Sequence, residues 1–261
     1  MVSVIYETKG RAREFAELAI NLYNFCSHGC VYCYSPDVIH KNREVFSTGL
    51  YPRITAQDIV QSAKQWADKG ETRRILLSFL CDVYQPIEQE TQLTRKCIMA
   101  LHEVGLNVTI LTKGGLKSMR DFDLLTNKDA YATTLTLYNE NDSLRWEPNA
   151  ASPKERLTAL ESACWKGIET WVSLEPVIDP EQTKYLVGLT ADITGHYKLG
   201  KLNYENQLPP ELKEQISEIN WHDFGWEMKS LFDRIHAKYY FKKDLLKEMR
   251  VNPTEFKQTW V

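Results

Sequence analysis

Leu18-Ala19-Ile20-Asn21-Leu22, followed by Cys26-Ser27-His28-Gly29-Cys30-Val31-Tyr32-Cys33, is the stretch on which the fold turns. A short apolar run of this kind reads as a buried strand, and the cysteines fall in the loop that leaves it. That loop, residues 23–52, ends just before Thr55, an N-cap with Asp58 three residues on. The helix it opens carries Ile59, Ala63, Trp66 and Ala67 to Gly70. Strand, loop and helix make one βα unit.

Outward from this unit the pattern recurs. Strands are expected at 74–80, 107–111, 132–137, 171–174 and 193–199. Between them lie helices at 88–104, stopped by Gly105, then at 118–125 and 180–189. Another is opened by Ser152-Pro153-Lys154-Glu155 and runs to Lys166. After Pro209-Pro210 the chain reads as helical to residue 237, then as a strand at 238–241 and a charged helix at 243–250. Six βα units predict an α/β fold, a partial (β/α)6 TIM-like barrel with a helical C-terminal extension. Active-site residues belong at the C-terminal ends of its strands. No linker interrupts the pattern, so residues 1–261 are expected to be one domain, with a core of about 15–205 and an extension of about 206–261.

Composition narrows the class without naming a substrate. The chain is 43% hydrophobic and 26% charged, an ordinary globular balance, and its net charge of −3 gives no global pull toward nucleic acid or anionic membrane. Glu7, Lys9, Arg11, Arg13, Glu14 and Glu17 leave no room for a secretory apolar segment, and no apolar run reaches the length of a membrane span. A soluble, cytoplasmic, monomeric protein away from the membrane is expected. Of six cysteines, Cys81, Cys97 and Cys164 stand singly, whereas Cys26, Cys30 and Cys33 cluster. Clustering in a chain of this size points to metal or redox chemistry rather than disulfides.

The C-x3-C-x2-C run brings three soft thiolates into one loop, a set that selects iron–sulfur clusters or zinc. Structural zinc wants a fourth ligand, and His28 inside the run is poorly placed to be one. Three ligands to a 4Fe-4S cluster leave one iron open to chelate a small molecule and pass it an electron. An iron–sulfur cluster is therefore the reading, with zinc or coincidental thiols as alternatives. His28 and Gly29 are assigned to the loop itself.

This spacing, with Tyr32 just before the third cysteine, resembles the radical S-adenosylmethionine superfamily. The resemblance implies that Cys26, Cys30 and Cys33 hold the cluster, that the methionine amino and carboxylate groups of S-adenosylmethionine chelate the fourth iron, and that Tyr32 lies beside the adenine. It also implies reductive cleavage to a 5′-deoxyadenosyl radical. The flanking sequence is similar to one branch, the spore photoproduct lyase-like proteins. Lys9-Gly10 through Tyr23, Asp82-Val83-Tyr84-Gln85-Pro86-Ile87-Glu88, Leu111-Thr112-Lys113 with Arg120-Asp121, and Glu147-Pro148 with Arg156-Leu157 carry this likeness. Lys198-Leu199-Gly200-Lys201 looks like a final-strand signature of related proteins.

Within that frame the strand ends supply the candidate site. Ser78 and Asp82 stand where relatives place a Gly-rich segment for the methionine amino group, a segment this chain lacks. Lys113 is a candidate for the methionine carboxylate, Thr134 and Thr136 offer hydroxyls, and Glu175 is set to meet a ribose or substrate. Cys81 is a candidate hydrogen-atom donor, by likeness to photoproduct lyases. Tyr34 and Tyr84 are candidates for stacking or radical relay. Arg120 and Asp121 read as a local ion pair, and Arg156 as a surface arginine. Tyr239-Tyr240-Phe241-Lys242-Lys243 has the composition of a single-strand nucleic-acid contact or of an edge strand with solvated lysines. The expected reaction is of lyase or oxidoreductase type, fed by an external one-electron donor of flavodoxin or ferredoxin type. The substrate expected from the resemblance is a nucleic-acid base lesion or nucleotide. A small molecule or peptide, or a non-catalytic electron-transfer or structural role for the cluster, are the alternatives.

Overall fold

The computed structural model describes residues 4–202 and 208–258. Among them, eight strands lie in one sheet in chain order: β1 Ile5–Glu7, β2 Leu18–Ile20, β3 Ile75–Leu77, β4 Val108–Thr112, β5 Ala130–Thr134, β6 Glu169–Leu174, β7 His196–Leu199 and β8 Lys238–Phe241. β1 runs antiparallel to β2, and every later pairing is parallel. This is the expected α/β partial barrel. Two strands extend it: β1, too short a run to signal itself, and β8, which pairs with β7 from His196↔Lys238 to Leu199↔Phe241. The boundary expected near residue 205 lies outside the described residues.

The helices are α1 Ser35–Val38, α2 Arg43–Thr48, α3 Ala56–Ala67, α4 Glu88–Thr91, α5 Leu93–Glu103, α6 Glu140–Trp146, α7 Pro153–Trp165, α8 Pro180–Thr190, α9 Pro210–Ser217, α10 Trp221–Arg234 and α11 Lys243–Glu248. Capping boxes set two starts as predicted, Thr55 with Asp58 for α3 and Ser152 with Glu155 for α7. The helix expected at 88–104 is broken instead at Gln92, whose φ of 49° is left-handed. The one expected at 118–125 is a tighter 3-10 turn over Gly115–Asp121.

Period-two alternation decides what each strand shows the interior. Ile75, Leu77, Val108, Ile110, Tyr131, Val172, Leu174, Tyr197, Leu199, Tyr239 and Phe241 pack outward with helix residues such as Ile59, Ile98, Leu160 and Leu186. Burial of each such aliphatic side chain contributes about 1.5–3 kcal/mol. The alternate positions Ala130, Ala132 and Trp171 meet Phe15 and Leu111 on the other face. Continuing that inner file past the strand ends brings Asn21, Ser78, Thr134 and Glu175 toward one mouth. Among the described residues no helix is long and apolar enough to cross a membrane.

Candidate active site

The cysteine loop is tied off at its base. Tyr23 bridges Pro52, Arg53 N donates to Leu22 O at 2.8 Å, and Cys26 N donates to Phe46 O at 3.2 Å. Two short helices, α1 and α2, fill what the sequence left as loop. Ser27 N is held by Gln85 Oε1 at 3.0 Å, and Gln85 Nε2 by Phe25 O at 2.8 Å. Gly29 has φ +65°, and a Cβ there would stand 3.3 Å from Asn149 Nδ2, so both conformation and space favour glycine. His28 faces the buried carboxylate of Asp82, its Nδ1 3.6 Å from Oδ2.

Cys26, Cys30 and Cys33 line one cavity of about 190 Å³ at the barrel mouth and border a second of about 430 Å³. Among the described residues no group of three His, Cys, Asp or Glu side chains is drawn together as for a single metal ion. Burial, with Asp82 next, pushes the Cys26 thiol well up; burial takes Cys30 up to about 12, against the pull of Lys113. A metal or cluster bound here displaces those protons. Three thiols lining one cavity and a backbone donor, Asp82 N at 3.5 Å from Cys26 Sγ, fit a 4Fe-4S cluster.

The same 190 Å³ cavity is lined by Tyr32, Ser78, Cys81, Asp82, Lys113, Thr134 and Glu175. Thr136 is not among its lining residues; its hydroxyl meets Tyr32 OH at 3.2 Å instead. The Ser78 hydroxyl lies 3.2 Å from Cys81 Sγ and donates to Asn21 Oδ1 at 3.0 Å. That Asn21 oxygen also accepts from Phe79 N and Leu80 N, at 3.0 and 3.1 Å. Asp82 is occupied by Thr112 Oγ1 at 2.7 Å, Lys113 N at 2.6 Å and Tyr84 N at 2.8 Å. It joins the ends of β3 and β4. Burial takes the Cys81 thiol up to about 11, which leaves it an S–H at neutral pH.

Beneath Tyr32 lies a buried ion pair. Arg156 is 0% exposed and Glu147 1%, with Nη2 to Oε2 at 2.5 Å, which overturns the reading of Arg156 as a surface residue. Its other donors go to Ala151 O at 2.8 Å and Thr134 O at 3.0 Å, and Tyr32 OH donates to Glu147 Oε1. Burial raises the Glu147 carboxyl, but the charges of Arg156 and Lys113 outweigh it and hold it below its usual range. Lys113 Nζ is 3.9 Å from Glu147 and 5.5 Å from the Tyr32 ring centre.

The opposite wall differs from expectation as well. Lys242, read either as part of a single-strand nucleic-acid contact or as a solvated edge-strand lysine, is buried 3.7 Å from Glu175 Oε2, with its ammonium 3.2 Å from the Phe15 ring centre. Burial raises the Glu175 carboxyl and lowers Lys242, each opposed by the other's charge. Tyr239, Tyr240 and Phe241 are buried, so that segment offers no stacking face. Tyr84 is core, whereas Tyr34 lines the cavity and donates to Phe79 O at 3.0 Å. Arg120 pairs with Asp121 at 2.6 Å and Glu88 at 2.5 Å.

Residues 20–186 match the radical SAM superfamily. The chain belongs to that family. Membership in the radical SAM superfamily implies an enzyme that uses S-adenosylmethionine. An uncharacterized protein of Methanocaldococcus jannaschii is 28% identical over 77% of this chain and 80% of its own. Another, of Acidianus two-tailed virus, is 25% identical over 90% and 85%. A spore photoproduct lyase variant shares the fold at a TM-score of 0.68, with 14% identity over 89% of this chain and 78% of that one. A variant with bound S-adenosylmethionine and dinucleoside spore photoproduct gives 0.67, with 15% identity over 89% and 78%. Streptococcus suis SuiB bound to its precursor peptide SuiA gives 0.64, with 13% identity over 92% and 52%. The radical SAM motif marked the cysteines, but nothing in the sequence assigned Asn21, Glu147 or Lys242 to the site. Their signal, a polar residue at an inward or buried position, exists only once strand register is known.

Proposed function

We propose that this protein is a radical S-adenosylmethionine enzyme with a 4Fe-4S cluster on Cys26, Cys30 and Cys33, abstracting hydrogen from a substrate at the barrel mouth. The observation that carries it is the single cavity shared by the three thiols with Lys113, Ser78, Thr134 and Glu175. A cluster held there would supply the one electron that breaks the C5′–S bond of the sulfonium, giving methionine and the 5′-deoxyadenosyl radical. Lys113 offers an ammonium to the methionine carboxylate, and Ser78 a hydroxyl to the amino group. Thr134 and Glu175 offer acceptors to ribose or substrate hydroxyls. Tyr32 walls the adenine side, while Phe15 and Leu111 keep the interior dry. Cys81, an S–H within reach of Ser78, is a hydrogen donor to the substrate radical. A flavodoxin- or ferredoxin-type protein supplies the electron.

Anaerobic reconstitution with iron and sulfide, then S-adenosylmethionine and dithionite, tests this. About four irons per chain and 5′-deoxyadenosine are expected, both lost in C26A, C30A and C33A. Iron loading without 5′-deoxyadenosine makes the chain a non-catalytic cluster protein; one zinc per chain removes the cluster. For the substrate we propose a nucleic-acid base lesion or nucleotide, supported by the fold shared with a lyase whose structure holds a dinucleoside photoproduct. Deuterium passing from a labelled dinucleotide lesion into 5′-deoxyadenosine supports it, whereas transfer only from a peptide moves the assignment to the peptide class. Cys81→Ala should then change the product distribution; unchanged products and rate remove the thiol from the mechanism.

A further inference from the structure

We propose that the buried Glu147–Arg156 pair is a positioning device that keeps the Lys113 ammonium available to an anion in the cavity. The anion is the carboxylate of S-adenosylmethionine, an assignment that rests on the function proposed above.

Beneath Tyr32 two cations, Arg156 and Lys113, face one carboxylate, Glu147, at unequal distances. Glu147 carries one negative charge, and Arg156 meets it at 2.5 Å, while Tyr32 OH takes its other oxygen. Lys113 is left at 3.9 Å, past hydrogen-bond distance, and borders the cavity with its side chain 17% exposed. The other acid nearby, Asp82, is occupied by Thr112 Oγ1 and the backbone N–H groups of Tyr84 and Lys113, and His28 faces it. The oxygens of both carboxylates are thus filled by other donors, and Lys113 is the cation left at the longer range. An arginine suits the task because its planar fork reaches three directions at once, Glu147, Ala151 O and Thr134 O. Stability alone does not account for the pair, because burying two charges costs desolvation that apolar side chains of equal volume avoid.

Removing Arg156 leaves Glu147 buried with Lys113 as its nearest cation, and the lysine is drawn onto it. Removing Glu147 as well releases the lysine again. In the reconstituted enzyme, R156Q should bind S-adenosylmethionine at least about tenfold more weakly, the worth of one charge-assisted hydrogen bond, and match K113Q. The double variant E147Q/R156Q should return to within about threefold of wild type. If the double variant binds as weakly as R156Q, the pair acts only through the fold and the proposal is lost. A second readout needs neither cluster nor S-adenosylmethionine: acetylation of Lys113 in the apoprotein, followed by mass spectrometry, should slow in R156Q and recover in E147Q/R156Q. Equal rates in all three overturn the proposal even where the enzyme is active. The expected pattern in a protein that makes no 5′-deoxyadenosine upholds the pair and sinks the function instead. Should R156Q fail to fold, R156K, which keeps the charge and loses the fork, should retain Lys113 reactivity and affinity within about threefold. Loss of both in R156K counts against the charge argument.

Discussion

Asn21 shows how much one amide holds in place. Its oxygen accepts three donors from the segment after β3, and its Nδ2 donates to Tyr6 OH at 2.8 Å, so both ends of the side chain are used. Asn21→Ala strips the acceptor from Phe79 N and Leu80 N, and part-buried N–H groups left unpaired cost about 1–3 kcal/mol in all. Urea unfolding of the apoprotein should show a loss of that size, with Asn21→Asp, which keeps the acceptor, losing less. A loss under about 0.5 kcal/mol would mean that water replaces the amide. The sequence displayed Asn21 as the polar end of an apolar run. Its partner Ser78 is 57 residues away, and no local pattern connects them.

At the scale of elements, the segment between α6 and α7 lies as a strap across the cysteine loop and the end of β4. Val31 N donates to Trp146 O at 2.9 Å, Asn149 N to His28 O at 3.1 Å, and Ala151 N to Lys113 O at 3.0 Å. The turn beneath it tolerates no side chain. A Cβ on Gly114 would stand 2.5 Å from Tyr84 Cβ and 2.9 Å from Thr112 Oγ1. Gly114→Ala should therefore cost about 1–3 kcal/mol by overpacking and weaken S-adenosylmethionine binding through Lys113. Melting and binding should both respond; a normal melt with normal affinity would show that the turn shifts freely. Capping boxes and alternation were readable because they are local, so α3, α7 and the inward set Ser78, Thr134 and Glu175 could be placed from sequence. The break at Gln92 was not readable, because nothing about glutamine announces a left-handed residue. Asn42, which caps α2 through Glu44 N at 2.7 Å, was passed over inside a segment read as one loop.

Across the whole molecule, the sheet order leaves β1 and β8 as its two edges, and the connection from β1 to β2 reaches over to the far side. Arg11 pairs with Asp244 at 3.0 Å, and Glu14 Oε1 accepts from Tyr240 OH at 3.2 Å and from Lys243 N at 3.0 Å. Lys198, on β7, donates to Glu14 O and Phe15 O, both at 2.8 Å. Burial, with the neighbouring charge of Lys242, takes Lys198 down to about 7, against the opposite pull of Glu175 and Glu14. The sign of the pH dependence follows. The unfolded chain keeps this lysine protonated to about 10.4, so between pH 7 and that value it binds more protons than the folded chain. Stability from this group therefore rises with pH above 7, by up to about 1.4 kcal/mol per pH unit, and is flat below, where both states are charged. Other groups titrate in the same range, so the quantity to follow is the difference in unfolding free energy between wild type and K198M, measured from pH 6 to 9. That difference should move in favour of wild type above pH 7. A difference independent of pH would mean that the two carbonyls keep the ammonium charged throughout, holding the seam between the first and last strands as a permanent cation.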